Sequence, residues 1–239
     1  MNPLWRKEWH LQSSLAALWL RLGLWLALAL FFLSAYQQYQ SLALQLAQLE
    51  NRRGATQMLL LPVNQLLLNA MLLWTVFFGA RALAQEYEWQ TLPFAGAAVL
   101  WRKALILWLN VMLLSLPFWL SVGFLGLKTD WDKGLLYGIA AAQIFLSLYA
   151  LALVWLLSLR LRHSVTTALA AAVLLLLLWL SPLLVYEPAP AADIVRWLSP
   201  FSHAALFTQG VFHVQTAVFV LLHVLFFGSC FILMQQENR

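Results

Sequence analysis

The chain has 239 residues, of which 63% are hydrophobic and only 10% charged, and it carries a formal net charge of +5. A soluble domain keeps about 25% of its residues charged to hydrate its surface, so a water-soluble globule is excluded and lipid is the solvent that suits this surface. The single cysteine, Cys230, excludes an intramolecular disulfide framework and a zinc–cysteine cluster, and its apolar neighbours make it a small hydrophobe.

In chain order, the first element is a short segment at residues 2–14. Trp5 and Trp9 are four apart, on one helical face, with Arg6 and Lys7 mostly elsewhere. Asn2 and Pro3 suit a helix cap and first turn. The pattern predicts an amphipathic helix lying at a membrane interface; the alternative is an ordinary charged, frayed terminus. Six apolar runs then follow, at about 15–36, 59–80, 104–126, 134–158, 165–186 and 213–234. Each meets the roughly 20 residues that a helix needs to cross the hydrocarbon core. The first run is about twice the length of a signal-peptide core and no Ala-x-Ala site follows it, so it is expected to stay in place. A transmembrane β-barrel would need alternating apolar and polar residues. The unbroken Val173–Leu180 stretch has no such alternation. The fold class expected is therefore all-α integral membrane, a single domain over 1–239.

Polar breaks separate the runs, and their basic residues set an orientation. An inside N-terminus places Arg6, Lys7, Arg21, Arg81, Arg102, Lys103, Arg160, Arg162 and Arg239 on the cytoplasmic side. Arg52, Arg53, Lys128, Lys133 and Arg196 then fall outside, where Glu50, Asp130, Asp132, Glu187 and Asp193 balance them. This asymmetry fits the positive-inside rule, with both termini cytoplasmic. The positive charge is thus used in loops, and no nucleic-acid partner is expected. Arg21, near the start of the first span, is expected to snorkel to the headgroups.

The runs carry no Asp, Glu, Lys or Arg at their centres and show no evident mid-membrane break. Ion-coupled carriers usually need one or the other, so an energy source outside the membrane is favoured. Uncharged polar residues form modest stripes: Gln65 and Asn69; Asn110, Pro117 and Ser121; Gln143 and Ser147. Interhelical hydrogen bonding is the preferred account of each pair. A translocation path lined by Gln65, Asn69, Asn110, Gln143 and Ser147 is the alternative. Gly134, Gly138 and Ala142 form a small-residue stripe for close helix packing, within the chain or between chains. No zincin, serine-hydrolase or P-loop motif is present, and the ten-residue spacing of His203, His213 and His223 does not suit a helical metal site. Neither an enzyme nor a metal centre is expected.

Two segments outside the runs carry more specific signals. Between the second and third runs, Arg81-Ala82-Leu83-Ala84-Gln85-Glu86-Tyr87-Glu88-Trp89-Gln90-Thr91-Leu92-Pro93 precedes Trp101-Arg102-Lys103. A charged helix that leaves one span and returns into the next can take a push from a soluble partner, with Glu86, Glu88 and Trp89 offering charge and an aromatic anchor. Before the last run stands Trp197-Leu198-Ser199-Pro200-Phe201-Ser202-His203, followed by Gln209-Gly210-Val211-Phe212.

Here the chain resembles the permease subunits of type-2 ATP-binding-cassette transporters, in their gliding-motility-type branch. Arg81, Ala84, Glu86, Thr91, Leu92 and Lys103 match the family's Arg-x-x-Ala-x-Glu, Gly-Thr-Leu and Gly-Lys pattern; Gln90 replaces its usual Gly, and Pro93 a common acidic residue. Ser199, Pro200, Phe201, His203 and Gly210 match the branch's Leu-Ser-Pro-Phe-x-His element and the Gly that follows it. The resemblance implies six spans and a cytoplasmic coupling helix between spans 2 and 3 (Arg81, Glu86, Glu88, Trp89, Thr91, Leu92). It also implies short re-entrant outer helices before span 6. It implies a bacterial inner-membrane subunit working with a pair of cytosolic ATPase subunits, which would carry ATP and magnesium, and with a second permease copy or related chain. An envelope or periplasmic partner at the outer segments is a further expectation. Competing readings are a non-transporting membrane scaffold or assembly protein and an ion-coupled secondary carrier.

Overall fold

The computed structural model describes residues 14–46, 56–88, 97–126, 131–184 and 190–237, and among these there is no strand. Among the described residues nine α-helices follow one another: α1 (Leu15–Leu46), α2 (Leu61–Glu88), α3 (Ala97–Leu113), α4 (Leu116–Gly126), α5 (Lys133–Leu161), α6 (Ser164–Leu184), α7 (Pro190–Leu198), α8 (Pro200–Thr208) and α9 (Val214–Glu237). A π-helical turn, Thr56–Leu60, leads into α2. The predicted interfacial helix, with Trp5, Arg6, Lys7 and Trp9, lies outside the described residues. So do Trp89, Thr91 and Leu92.

Backbone amides cannot go unpaired in hydrocarbon, so apolar chain in lipid closes its hydrogen bonds helically. Four helices are long and apolar enough to cross a bilayer: Leu15–Leu42, Thr56–Ala82, Lys133–Leu161 and Ser164–Leu183. A fifth crossing forms if the bent pair Trp101–Leu113 and Leu116–Gly126 counts as one, and the apolar Val214–Cys230 part of α9 is shorter. The chain is a membrane-embedded helical protein with four or five such helices among the described residues.

Two predicted boundaries change. Residues 37–46, expected as a polar break, continue α1; the stretch is rich in Gln and Leu with no Gly or Pro to end it, and both are good helix formers. The third run is not one straight helix but two, bent by 45°. Pro117 is the cause: it has no N–H to donate and its ring crowds the preceding turn. The chain tightens there instead, with Leu114 N bonding Val111 O (3.0 Å) and Ser115 N bonding Met112 O (3.0 Å). Ser115 Oγ adds a bond to Met112 O (2.7 Å).

The centre of the bundle is α2 against α5, the most extensive helix pair. They run parallel: Asn64 meets Gln143 at one end, and Gly79 meets Val154 fifteen residues further along α2. Arg81 and Arg160 therefore share one end of the molecule, called here the basic end. Burial is uneven. Over half of the apolar α2 and α5 windows is buried (56% each), against 17% for α1 and 22% for α6. Lipid tails are as apolar as leucine, so van der Waals fit rather than water exclusion holds such helices together. Gly79 serves that fit, since a Cβ there would lie 3.2 Å from Val154 Cγ1.

Caps close the ends of α5. Asp132 accepts from the amides of Gly134 and Leu135 (2.9 and 3.2 Å), and its own amide donates to Thr56 Oγ1 (3.0 Å), which ties the loop to the π turn. At the other end Arg162 adopts φ +59° and its amide donates to Ser158 O (3.2 Å). A left-handed non-glycine residue costs about 1–2 kcal/mol; here it turns α5 into α6 within two residues.

Candidate functional site

Polar side chains gather at three places in the bundle. The first links α2, α4 and α5. Gln143 Nε2 donates to Asn64 Oδ1 (2.8 Å) and Gln143 Oε1 accepts from Trp119 Nε1 (3.0 Å). One turn along α5, Ser147 Oγ accepts from Trp108 Nε1 (3.1 Å) and donates to Ile144 O (2.9 Å). Asn64, Gln143 and Ser147 are all buried. The hydrogen-bonding account of Gln143 and Ser147 therefore stands, through partners that the sequence does not single out. For Gln65 and Asn69 it does not: both lie on the exposed face of α2. A step of one residue turns a helix by about 100°, so Asn64 points inward where Gln65 cannot. Pro117 and Ser121 fall beyond the bend, where Ser121 Oγ bonds the Pro117 carbonyl locally (2.8 Å).

The second place is a buried cation. Arg21 does not snorkel; its residue is only 5% exposed. Its Nη2 donates to Asn110 Oδ1 (2.7 Å), and its guanidinium carbon stands 5.4 Å from the centroid of the Trp74 ring. Asn110 Nδ2 donates to Ile106 O (3.0 Å), which fixes the amide with its oxygen toward Arg21. An arginine directed inward gains a neutral acceptor and an aromatic face. The expectation that Arg21 snorkels is thus corrected by its inward bond to Asn110, and the expectation that the runs are unbroken by the bend at Leu114–Ser115; no charge stands at the centre of a described span.

The third place lies at the end opposite the basic one, where α7 and α8 pack beside α5, α6 and α9. His203, on α8, is buried and bonded at both ring nitrogens: Nε2 is 2.9 Å from the Trp197 carbonyl and Nδ1 3.1 Å from Thr216 Oγ1. A carbonyl only accepts, so Nε2 carries the proton and Nδ1 accepts from the threonine hydroxyl. Burial pushes the imidazole below the ordinary histidine range, the Trp197 carbonyl opposes that, and His223 lowers it further. Phe219 lies against both the His203 and His223 rings (centroids 4.1 and 3.8 Å). Ser199 precedes Pro200 at the head of α8 but makes no side-chain cap; its Oγ donates to Leu178 O of α6 (2.7 Å) instead. Phe201 packs against the cluster that includes Val154 of α5 and Ala168 of α6.

The small-residue stripe on α5 seats this third group. A Cβ on Gly138 would overlap the Phe207 carbonyl oxygen and stand 2.9 Å from its carbon. Gly210, at φ +74°, lies on the backbone of Gly134, where a Cβ would stand 3.6 Å from the Gly134 carbonyl carbon; glycine adopts this left-handed conformation freely. Ala142 packs with Ala204, Leu68 and Leu146. The stripe therefore works within the chain.

At the basic end, α2 continues as helix past its apolar part to Glu88. Arg81 is exposed and Ala84 buried, while Lys103 on α3 is buried; Glu86 and Glu88 are helical, with side chains outside the described set. The predicted coupling residues are thus represented by the stem of the segment alone. Among the described residues, no group of three His, Cys, Asp or Glu side chains is placed to hold a metal. Comparison with known proteins finds no matching family model, no matching curated protein and no matching solved structure.

Proposed function

We propose that this chain is the membrane-spanning permease subunit of an ATP-driven transporter of the type-2 ATP-binding-cassette kind, coupling a separate cytosolic ATPase to substrate export or mechanical work. The observation that carries the reading is the continuity of α2. One unbroken helix joins the buried Asn64–Gln143 contact to the charged stretch Arg81–Glu88. A displacement applied at Glu86 and Glu88 would pass along α2 to its parallel neighbour α5, and through Gly138 to α8. Packed interfaces respond to such displacements by switching between discrete arrangements.

In this reading the bundle has six spans: α1, α2, the bent α3–α4 pair, α5, α6 and α9. The basic end faces the cytoplasm of a bacterial inner membrane, with both termini there. Residues 2–14 lie along that face, and α7–α8 form the outer re-entrant element. A second permease copy or related chain covers the exposed face of α2. That face carries Gln65 and Asn69 in line with Leu73 (57% exposed) and Phe77 (60%), and amides facing hydrocarbon are costly. The path between two chains would keep Gln65 and Asn69; Asn110, Gln143 and Ser147 serve packing instead. ATP and magnesium belong to the partner.

The test is purification of the tagged chain from its native membrane in mild detergent. A stoichiometric P-loop ATPase and vanadate-sensitive ATP hydrolysis are expected, and Glu86→Lys should lose both while the chain stays folded. A folded preparation without any ATPase, or unchanged association in Glu86→Lys, argues against the coupling role. A second reading, an ion-coupled carrier, draws on Arg21 and the broken third span. Arginine keeps its proton at all working pH values, so it cannot cycle one; uptake abolished by an ionophore yet independent of ATP would favour that reading.

A further inference from the structure

Arg21 Nε and Trp25 Nε1 are both buried and both without an acceptor among the described residues. They are four residues apart, hence on one side of α1. Arg21 as a residue is only 5% exposed, and its bonded neighbours are neutral: the Asn110 amide oxygen and the Trp74 ring. Of the nine acidic residues, only Asp132 and Asp193 have described side chains. The first caps α5 and the second is exposed on α7, so neither neutralises Arg21. A buried guanidinium without a counter-charge is costly, and an ionisable group in a membrane span marks a functional site.

We infer that Arg21 and Trp25 form a binding site for the phosphate of an anionic amphiphile that enters sideways from the bilayer. Three features of the site select this ligand class. The unused groups are donors only, so the ligand must be an acceptor. The charge is positive and uncompensated among the described residues, which favours a net anion over a zwitterion that brings its own cation. Leu18, Leu22 and Leu26 are exposed beside the site (41%, 50% and 63%), so α1 offers the ligand's chains a lipid-facing wall. Arg21 is six residues into α1, roughly 9 Å along its axis at 1.5 Å per residue, within the first two turns of that helix. The inference rests on α1 lying in the bilayer and is independent of any ATPase.

Native mass spectrometry of the detergent-purified full chain, titrated separately with phosphatidylglycerol and phosphatidylcholine, tests it. A parallel melting series with inorganic phosphate separates the two sources of the anion. Phosphatidylglycerol should bind more tightly than phosphatidylcholine. Arg21→Gln and Trp25→Phe should each weaken its binding roughly tenfold or more, the loss expected for a hydrogen bond to a charged group. Stabilisation of wild type by inorganic phosphate alone, lost in the same variants, supports the site with a free anion as its occupant. Trp25→Phe removes one N–H and little volume, so it reports even where Arg21→Gln does not fold. Equal binding of the two lipids by wild type, or wild-type affinity in Trp25→Phe, overturns the inference.

Discussion

Gly138→Ala isolates the contact on which the outer helices depend. The added methyl would collide with a backbone carbonyl, that of Phe207, and stand 2.9 Å from its carbon. Backbone in a helix cannot swing aside as a side chain does, so α8 as a unit must retreat from α5. Overpacking of this kind costs about 1–3 kcal/mol, and a backbone clash belongs at the upper end. Removing a mid-helix glycine returns about 1 kcal/mol through better helix propensity. The net loss is about 2 kcal/mol, or roughly 4–8 °C of melting temperature for a chain of this size. Melting in mild detergent followed by tryptophan fluorescence measures it. Gly123→Ala is the control, since nothing lies within 4 Å of the added atom, and should be neutral or raise stability by up to about 1 kcal/mol. A Gly138→Ala protein that melts at or above wild type refutes the account of how α8 is seated.

Three further outcomes can be checked in the same preparation. Gln143→Met leaves Asn64 Oδ1 and Trp119 Nε1 without partners and should cost about 1–3 kcal/mol; in a double-mutant cycle with Asn64→Leu the losses should be less than additive, and strict additivity would remove the link. Ser199→Ala should lower stability by about 1 kcal/mol through the lost bond to Leu178 O, and Ser199→Asp should be no better, because a carboxylate cannot donate; rescue by aspartate would mean that Ser199 acts as a helix cap after all. Burial holds the folded imidazole of His203 below its unfolded value, so between the two values the unfolded chain binds more protons. Stability is then full above about pH 6.5 and declines as pH falls toward the folded value; His203→Gln should flatten that acid limb, and an unchanged profile would clear His203 of the effect.

The helical class and most span positions are legible in the sequence because they depend on local runs: a stretch such as Val173–Leu180 has one solution in lipid. Side-chain direction is less so. Gln65 and Asn69 read as well as Asn64 does, since the choice between them rests on where α5 sits, a contact 79 residues away in sequence. Nearness to a span end points Arg21 toward the headgroups, whereas its actual partner, Asn110, lies 89 residues on. Pro117 is the one local signal of the bend, and the length of the apolar run around it masks that signal. The Ser-Pro-Phe-x-His segment stands out as a unit, but the role of its serine does not, because the acceptor belongs to α6.

The thin burial of α1 has a consequence for biogenesis. Among the described helices α1 is the first to be synthesised, yet the neighbours that hold it, α2, α3 and α4, are made later. Until Trp74 and Asn110 arrive, Arg21 has only lipid headgroups and water to turn to, and the ribosome must add 89 residues beyond it before its inward position exists. Membrane insertion and tertiary docking of this helix are thus separate events, with the guanidinium relocating between them.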